Sequence, residues 1–495
     1  MIRRGFLLML ELVPFVFVSA AAYAAPPGWN VYQIAGNPVY PESQVEIDHG
    51  FLTWYAVSGG QTDVYLHDIA AKTTTNLTPN SPTNEGGGMI DQGRVVLVRT
   101  GGTDGGTDRE LFLYDAGSKT TSQLTANDLD DDASMFAAGR IAGWVLDDYY
   151  QGFLSESEIL LYSIAPSTRT QLTDNLVIEY PCDMDQDYLV WEGYPAGTTP
   201  GALPQMEIFL YEFATGSITR LTDNSVDDQG ARVSNGYIVW RRGDLSAPGE
   251  IVLYDIAAGT TTSLTTTADG IAQIDHDYVA WSGYALGGAD REVFVYDIAG
   301  HATTQITSNA FDDIAPFVDQ GLVVWWGSDG SDYEVFHHRI ASGVTTQLTD
   351  NSFNDVSVRI SQGRVAWIRQ MPSGDAMFVA VPVTNADGLI SQVKAMPNSA
   401  FKKPADQRRA VLLAGLERVN RSIAAGHPAA ALAQLASLRV IVGGFTPQVR
   451  ENRWIVDKQA QEAFLGELDA LVGYLTQQIF AAGHERASGG GTIQR

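Results

Sequence analysis

The sequence predicts an all-β fold of eight four-stranded units closed into a ring, followed by a small helical module. Three observations predict it. First, residues 220–262 (RLTDNSVDDQGARVSNGYIVWRRGDLSAPGEIVLYDIAAGTTT) and 305–346 (QITSNAFDDIAPFVDQGLVVWWGSDGSDYEVFHHRIASGVTT) share one grammar. Each opens on (Q/R)-(L/I)-T, passes an acidic pair, runs through V-V-W or a close variant, and ends in a Thr run. Such self-similarity marks a repeat architecture. Second, the tryptophan position recurs as Trp54, Leu97, Gly143, Trp191, Trp240, Trp281, Trp325 and Trp367. The tyrosine of L-Y-D recurs as His67, Tyr114, Tyr162, Tyr211, Tyr254, Tyr296, His338 and Ala380. Both series count about eight units spaced roughly 42–49 residues apart, which suits four short strands each. Third, the segments are rich in β-branched and aromatic residues bounded by Gly, Asn or Asp, and no helix-period stretch interrupts them. In unit five they are Ala231–Ser234, Tyr237–Arg241, Glu250–Ile256 and Thr260–Thr265. The expectation is an eight-bladed β-propeller over residues 29–385.

The N-terminus reads as a secretory signal over residues 1–24. Arg3 and Arg4 precede the apolar run Phe6–Val18, and Ala22-Tyr23-Ala24 forms a small-residue cleavage site. The mature protein is therefore expected in the periplasm or outside the cell, with no membrane insertion, since no later apolar run could span a bilayer. Cys182 is the single cysteine, so no disulfide framework is expected, only a buried inert thiol. The net charge is −27 and the pI about 4.5. Such a chain lacks the basic surface that phosphate backbones need, which argues against a nucleic-acid partner.

The chain ends predict how the ring closes. Unit eight supplies three strands, ending near Val383, while Val31-Tyr32-Gln33-Ile34 precedes unit one and offers the missing fourth. Pairing the two removes exposed edges at both ends. After Asn385 the period changes. Leu412, Leu416, Val419 and Ile423 share one helical face, Pro428 opens a second helix carrying Leu432, Leu435 and Leu438, and Asp457 caps a third. Residues 386–485 thus predict a helical bundle, and the Gly-rich residues 486–495 a disordered tail. The bundle is about four units positive, leaving the propeller near −31 (−27 − 4).

The pattern D-x-x-P-x-(I/V)-x-x-G-x-V-V-W…(E/D)-I-x-L-Y-D-I-A-T-G…T-x-L-T, clearest at 205–240 and 290–326, resembles TolB-like β-propeller repeats over about residues 30–385. The resemblance implies an exported propeller that binds proteins or cell-envelope material without chemistry. Two departures separate the chain from the Tol-system subunit. No α/β domain precedes the ring, and the usual S-P-D-G turn is replaced by variants such as Asp319-Gln320-Gly321. The helical module is similar to the FIMAH type.

No nucleophile elbow, zinc helix, P-loop or Cys-based metal spacing appears. The roughly 110 residues after the propeller are too few for an α/β-hydrolase domain, so a prolyl-oligopeptidase-type enzyme is not expected. His49 and His276 recur after Asp48 and Asp275, and His67 and His338 replace the repeat tyrosine, so they read as structural substitutes. Twelve residues before each tryptophan position stands a carboxylate: Glu42, Glu85, Asp131, Glu179, Asp228, Asp269, Asp313 and Asp355. These are expected to form a ring near one channel mouth, either a cation site, with calcium the one cofactor to consider, or a cradle for basic ligands, or a set of loop caps. Carboxylates ~8 Å apart repel by only about 0.5 kcal/mol in water, so the ring requires no metal. Units two to four carry longer second-to-third-strand loops, 98–110, 144–158 and 192–207, which hold Asp147, Asp148, Tyr149, Tyr150 and Tyr194. This mix of aromatic anchors and charge marks a partner-binding wall. The reading is an exported, monomeric, non-enzymatic scaffold recognising protein or envelope polymer. The alternative is a polysaccharide lyase or glycosidase, which needs converging carboxylates in a cleft.

Overall fold

A computed structural model describes residues 26, 29–34, 45–58, 60–79, 85–100, 108–127, 130–146, 149–150, 153–154, 157–175, 177–195, 205–285, 288–372, 374–383, 386–425, 427–443, 454–455 and eight positions between 460 and 475. The expected signal peptide, the expected disordered tail, and Glu42, Asp147 and Asp148 lie outside the described residues.

The chain folds as a β-propeller. Its described strands make six four-stranded antiparallel sheets, one seven-stranded sheet and a small hairpin. The first strand of each sheet unit lies innermost: β2 (Glu46–Asp48), β3 (Gly86–Asp91), β4 (Met135–Ala137), β5 (Glu179–Met184), β6 (Asp228–Ser234), β7 (Thr260–Asp275), β8 (Asp313–Asp319) and β9 (Asp355–Ser361). These strands neighbour one another in chain order, and β9 lies beside β2. β1 (Trp29–Gln33) pairs with β10 (Ala376–Pro382), completing the sheet of β9. The Trp29 indole donates to His337 Nε2 at 3.1 Å, tying this first strand to the neighbouring sheet as well.

The repeat grammar is a set of internal braces. The L-T threonine accepts a backbone N–H from its unit's third strand, as in Leu111 to Thr125 (2.9 Å) and Val335 to Thr349 (2.8 Å). Two residues later an asparagine N–H donates to the buried glutamate of that strand, as in Asn127 to Glu110 (2.8 Å) and Asn351 to Glu334 (2.6 Å). Because the loop polar groups are satisfied by neighbours within the unit, each connection can be buried at low cost. A second device joins sheets. The residue ending a first strand accepts an N–H from the next turn, as Asp48 from Gln92 (2.7 Å) and Asp319 from Gly363 (2.9 Å).

Unit five departs from the expected four separate strands. Its fourth strand runs into the next first strand as β7, sixteen residues long. The linking stretch Leu264-Thr265-Thr266-Thr267-Ala268-Asp269 lacks the asparagine that turns the chain elsewhere, so the backbone stays extended.

After the ring in the chain come α1 (Asp387–Ala395), α2 (Ala405–Ala424) and α3 (Pro428–Gly443), with further helical residues between Ala460 and Leu475. Leu389, Val393, Leu416, Leu435, Phe464 and Leu471 share their core. Gly415 lets α2 and α3 approach closely, since a Cβ there would stand 2.6 Å from Leu438 Cδ2. α1 was not expected, because its short stripe spans barely two turns. Among the described residues no helix is long and apolar enough to cross a membrane.

Candidate functional site

Among the described residues, most of the recurring carboxylates are tied to neighbouring side chains. Trp191, Trp240, Trp325 and Trp367 each donate the indole N–H to the carboxylate twelve residues earlier: Glu179 (3.2 Å), Asp228 (2.7 Å), Asp313 (2.7 Å) and Asp355 (3.0 Å). The L-T-x-N asparagine amide also donates to Asp131, Asp228, Asp313 and Asp355. Arg369 grips Asp355 through both oxygens at 2.8 Å, Arg242 reaches Asp228 at 2.9 Å, and Arg99 and Arg169 face Glu85 and Asp131 at 3.4 and 3.5 Å. Burial pushes Glu179, Asp228 and Asp313 above the usual carboxylate range. Asp269 is the exception. It lies within the fused strand, is a third exposed, and pairs with Arg291 at 3.0 Å.

The expected loop wall is described only in part. Tyr149–Tyr150 pairs with Phe153–Leu154 as a two-residue hairpin. Tyr194 is half-buried and donates its backbone N–H to Ile178 at 3.1 Å. The histidines hold the substitute places expected of them. His49 and His276 sit in left-handed turns against Asp48 and Asp275, while His67 and His338 meet Thr74 and Thr345. Cys182 is half-buried, and burial pushes its thiol well up.

The structure adds a cleft that the sequence reading missed. About 390 Å³ in volume, it lies between the first and third units and is rimmed by Tyr55, Glu85, Arg109, Asp132 and Ser134. Its floor is Gly86 and Gly87, which open the glycine run at the start of β3. Gly87 must be glycine, as a Cβ would lie 2.5 Å from the Val96 carbonyl oxygen and its φ is +92°. At Gly86 a Cβ would make only ordinary contacts, with Val98 Cβ at 3.6 Å and the Val98 carbonyl oxygen at 3.9 Å, so a side chain fits. The Tyr55 ring leans over this floor and donates its hydroxyl to the Gly87 carbonyl. Arg109 Nη1 meets Asp132 Oδ2 at 2.7 Å. Burial, helped by Glu46 and Asp132, pushes Tyr55 up to about 12, and burial also raises Asp132 against the pull of Arg109. Tyr55 is therefore a neutral hydrogen-bonding group at physiological pH. The signal was the run of three glycines at 86–88, where the other first strands carry at most one, as at Gly230 and Gly270.

No protein-family model and no curated protein sequence matches the chain. Among solved structures it is similar to Porphyromonas gingivalis dipeptidyl peptidase 4, with TM-score 0.48 and 11% identity over 69% of this chain and 58% of that one. It is similar to puromycin hydrolase (TM-score 0.43, 15% identity, 70% of this chain and 62% of that one). It is also similar to the β-propeller domain of the Trilobed protease from Pyrococcus furiosus (TM-score 0.42, 11% identity, 62% of this chain and 98% of that one). The chain thus spans little more than half the length of the first peptidase, and at these identities the likeness bears on fold alone. It corrects one expectation. The non-enzymatic scaffold for protein or envelope polymer, with its carbohydrate-active alternative, is not what these neighbours support, since they are peptidases and a hydrolase. What the comparisons support for this chain is the β-propeller fold.

Proposed function

We propose that the chain handles peptides, laying an extended peptide main chain over Gly86–Gly88 at the mouth of the ring. The glycine floor carries this reading. A strand stripped of side chains lets a second backbone approach closely, and side chains along the rim can read the incoming one. Tyr55 and Ser134 offer hydroxyls there, and the Arg109–Asp132 pair offers a donor and an acceptor, the two needs of an amide. The peptidases named above contribute a fold; the ligand class comes from the cleft. The test is binding of end-capped extended peptides of about ten residues by fluorescence anisotropy, with cleavage followed by mass spectrometry. Gly86→Val fills the floor where a Cβ fits. The expected outcome is at least about tenfold weaker binding with unchanged melting. A parent protein that ignores every peptide, or a variant that binds as well, overturns the reading.

We infer further that the ring is eight-bladed with β1 as its closing strand, that the helices form a small bundle, and that the TolB-like repeat belongs to an exported monomer. The pairing of Trp29–Gln33 with β10 and the neighbourhood of β9 and β2 support closure. A chain beginning at Val39 should melt lower and less cooperatively; equal melting would remove the closing role. Export requires a mature N-terminus near Ala25, which sequencing of the cell-envelope protein reads directly.

A further inference from the structure

Four residues past the buried carboxylate, the same inner strands carry a second layer whose chemistry changes from unit to unit. Here stand Glu46 on β2, Asp183 on β5, Arg232 on β6 and Arg359 on β9, all half-buried. In β5, β6 and β9 a β-bulge ends at this residue. Bulges re-aim the side chain that follows, and they cluster at functional sites. Since β9 neighbours β2 and β5 neighbours β6, each acid has an arginine beside it. β3 and β4 separate the two pairs on one side, β7 and β8 on the other, so the pairs face each other across the axis. Glu46 is close enough to feel both arginines and Asp183, and Arg359 feels Arg232.

Four opposed charges so placed would ordinarily collapse into salt bridges. Among the described residues, none of the four forms an ion pair with another within 4.0 Å. The surrounding scaffold holds them apart. Arg232 Nη1 donates to the carbonyls of Cys182 (3.1 Å) and Ala231 (2.8 Å). Arg359 Nη1 donates to the Val358 carbonyl (3.0 Å), and its guanidinium lies over the Phe317 ring at 4.3 Å. Asp183 accepts the Val233 N–H at 2.9 Å. Burial raises Glu46 and Asp183 and lowers Arg359, so attraction at this spacing does not offset the water they have lost. Met135 and Phe317 occupy the equivalent place in two other units and make part of the layer apolar, while Gln273 stands there in a third.

We propose that this quartet binds a small zwitterion with an apolar side chain, an α-amino acid, at the axis. The ammonium group lies against Glu46 and Asp183, the carboxylate against the guanidiniums of Arg232 and Arg359, and the side chain against the apolar part of the layer. A lone anion or cation would satisfy one half and leave the other half dehydrated, which costs more than leaving both wet. The site uses residues other than those of the glycine-floored cleft and goes beyond the peptide reading, so either can fail without the other.

The test is calorimetric titration of the full chain with L-leucine, N-acetyl-L-leucine and L-leucinamide, repeated for Glu46→Gln and Arg359→Met. Leucine should bind, and loss of either ligand charge should weaken binding by about tenfold or more, as expected of one charge-assisted contact. Glu46→Gln should erase the penalty for acetylation, and Arg359→Met the penalty for amidation. Equal binding of the three probes, no binding of any, or discrimination that survives both variants would overturn the proposal. Should either variant melt differently from the parent, Asp183→Asn and Arg232→Met put the same question from across the axis, with the same outcomes deciding it.

Discussion

Two layers of the same inner strands, four residues apart, behave in opposite ways. The outer layer repeats one chemistry, a carboxylate in every unit, and among the described residues buries all but Asp269: Asp228 and Asp355 are 0% exposed and Asp313 is 2% exposed. The axial layer places an acid, a base, an amide, a thioether or a ring at one position and leaves its charges half-buried. Uniformity marks a residue whose partner also recurs, an indole or an L-T-x-N asparagine in most of the described units. Variation marks a residue whose neighbours lie in other units, where only the assembled ring defines the surroundings. In a repeat protein the first kind builds and the second kind reads.

The sharpest way to break this comparison is to remove a uniform carboxylate. Asp355→Ala strands the Trp367 indole and the Asn351 amide, and leaves Arg369, with only 13% of its side chain exposed, without its counter-charge. Losing one member of a buried pair costs about 3–5 kcal/mol, so denaturant unfolding should show a loss of that order. A loss below about 1 kcal/mol would mean the layer is not structural.

A pH series sharpens the same point on one strand. Burial, with Asp355 and Asp332 nearby, raises Glu334 to about 7, while burial lowers His337 to about 3. For Glu334 the folded value lies above the unfolded one near 4.5, so its stabilisation is complete below that value and is lost as pH rises through about 7. For His337 the folded value lies below the unfolded one near 6.5, so its contribution is present above that value and lost as pH falls toward about 3. Glu334→Gln should therefore raise the melting temperature at pH above about 7 and flatten the profile between about 4.5 and 7, by on the order of 1–3 kcal/mol. An unchanged profile would show that the carboxyl titrates as an ordinary solvated group.

The smallest effect belongs to the odd member of the uniform layer. Asp269 pairs with Arg291 at a third exposure. Asp269→Asn should cost under about 1 kcal/mol in the same unfolding assay. A loss as large as that at Asp355 would mean burial does not distinguish the two sites.

Much of the fold was legible because each unit is locally self-sufficient. Trp240 and Asp228 stand twelve residues apart, close enough for the repeat itself to display the pair as a constant spacing. The threonine and asparagine of L-T-x-N reach partners on their own unit's third strand, so the strand order followed from the motif. β7 was less legible, since its continuity depends on a turn residue that is missing rather than one that is present. α1 escaped because nine residues hold too few turns to display a period.

By itself, then, the sequence determined the β-propeller, its strand positions and the departure into helices, because those depend on contacts within about one repeat. Only the tertiary structure decided what the carboxylates do and where the candidate sites lie. Glu85 and Asp228 look alike in the repeat, yet one rims an open cleft and the other sits under an indole. Glu46, Asp183, Arg232 and Arg359 share no motif, and ring geometry alone carries them from distant strands to one axis. A local pattern records what a residue bonds within its own unit, whereas convergence at the axis is a property of how the units close on one another.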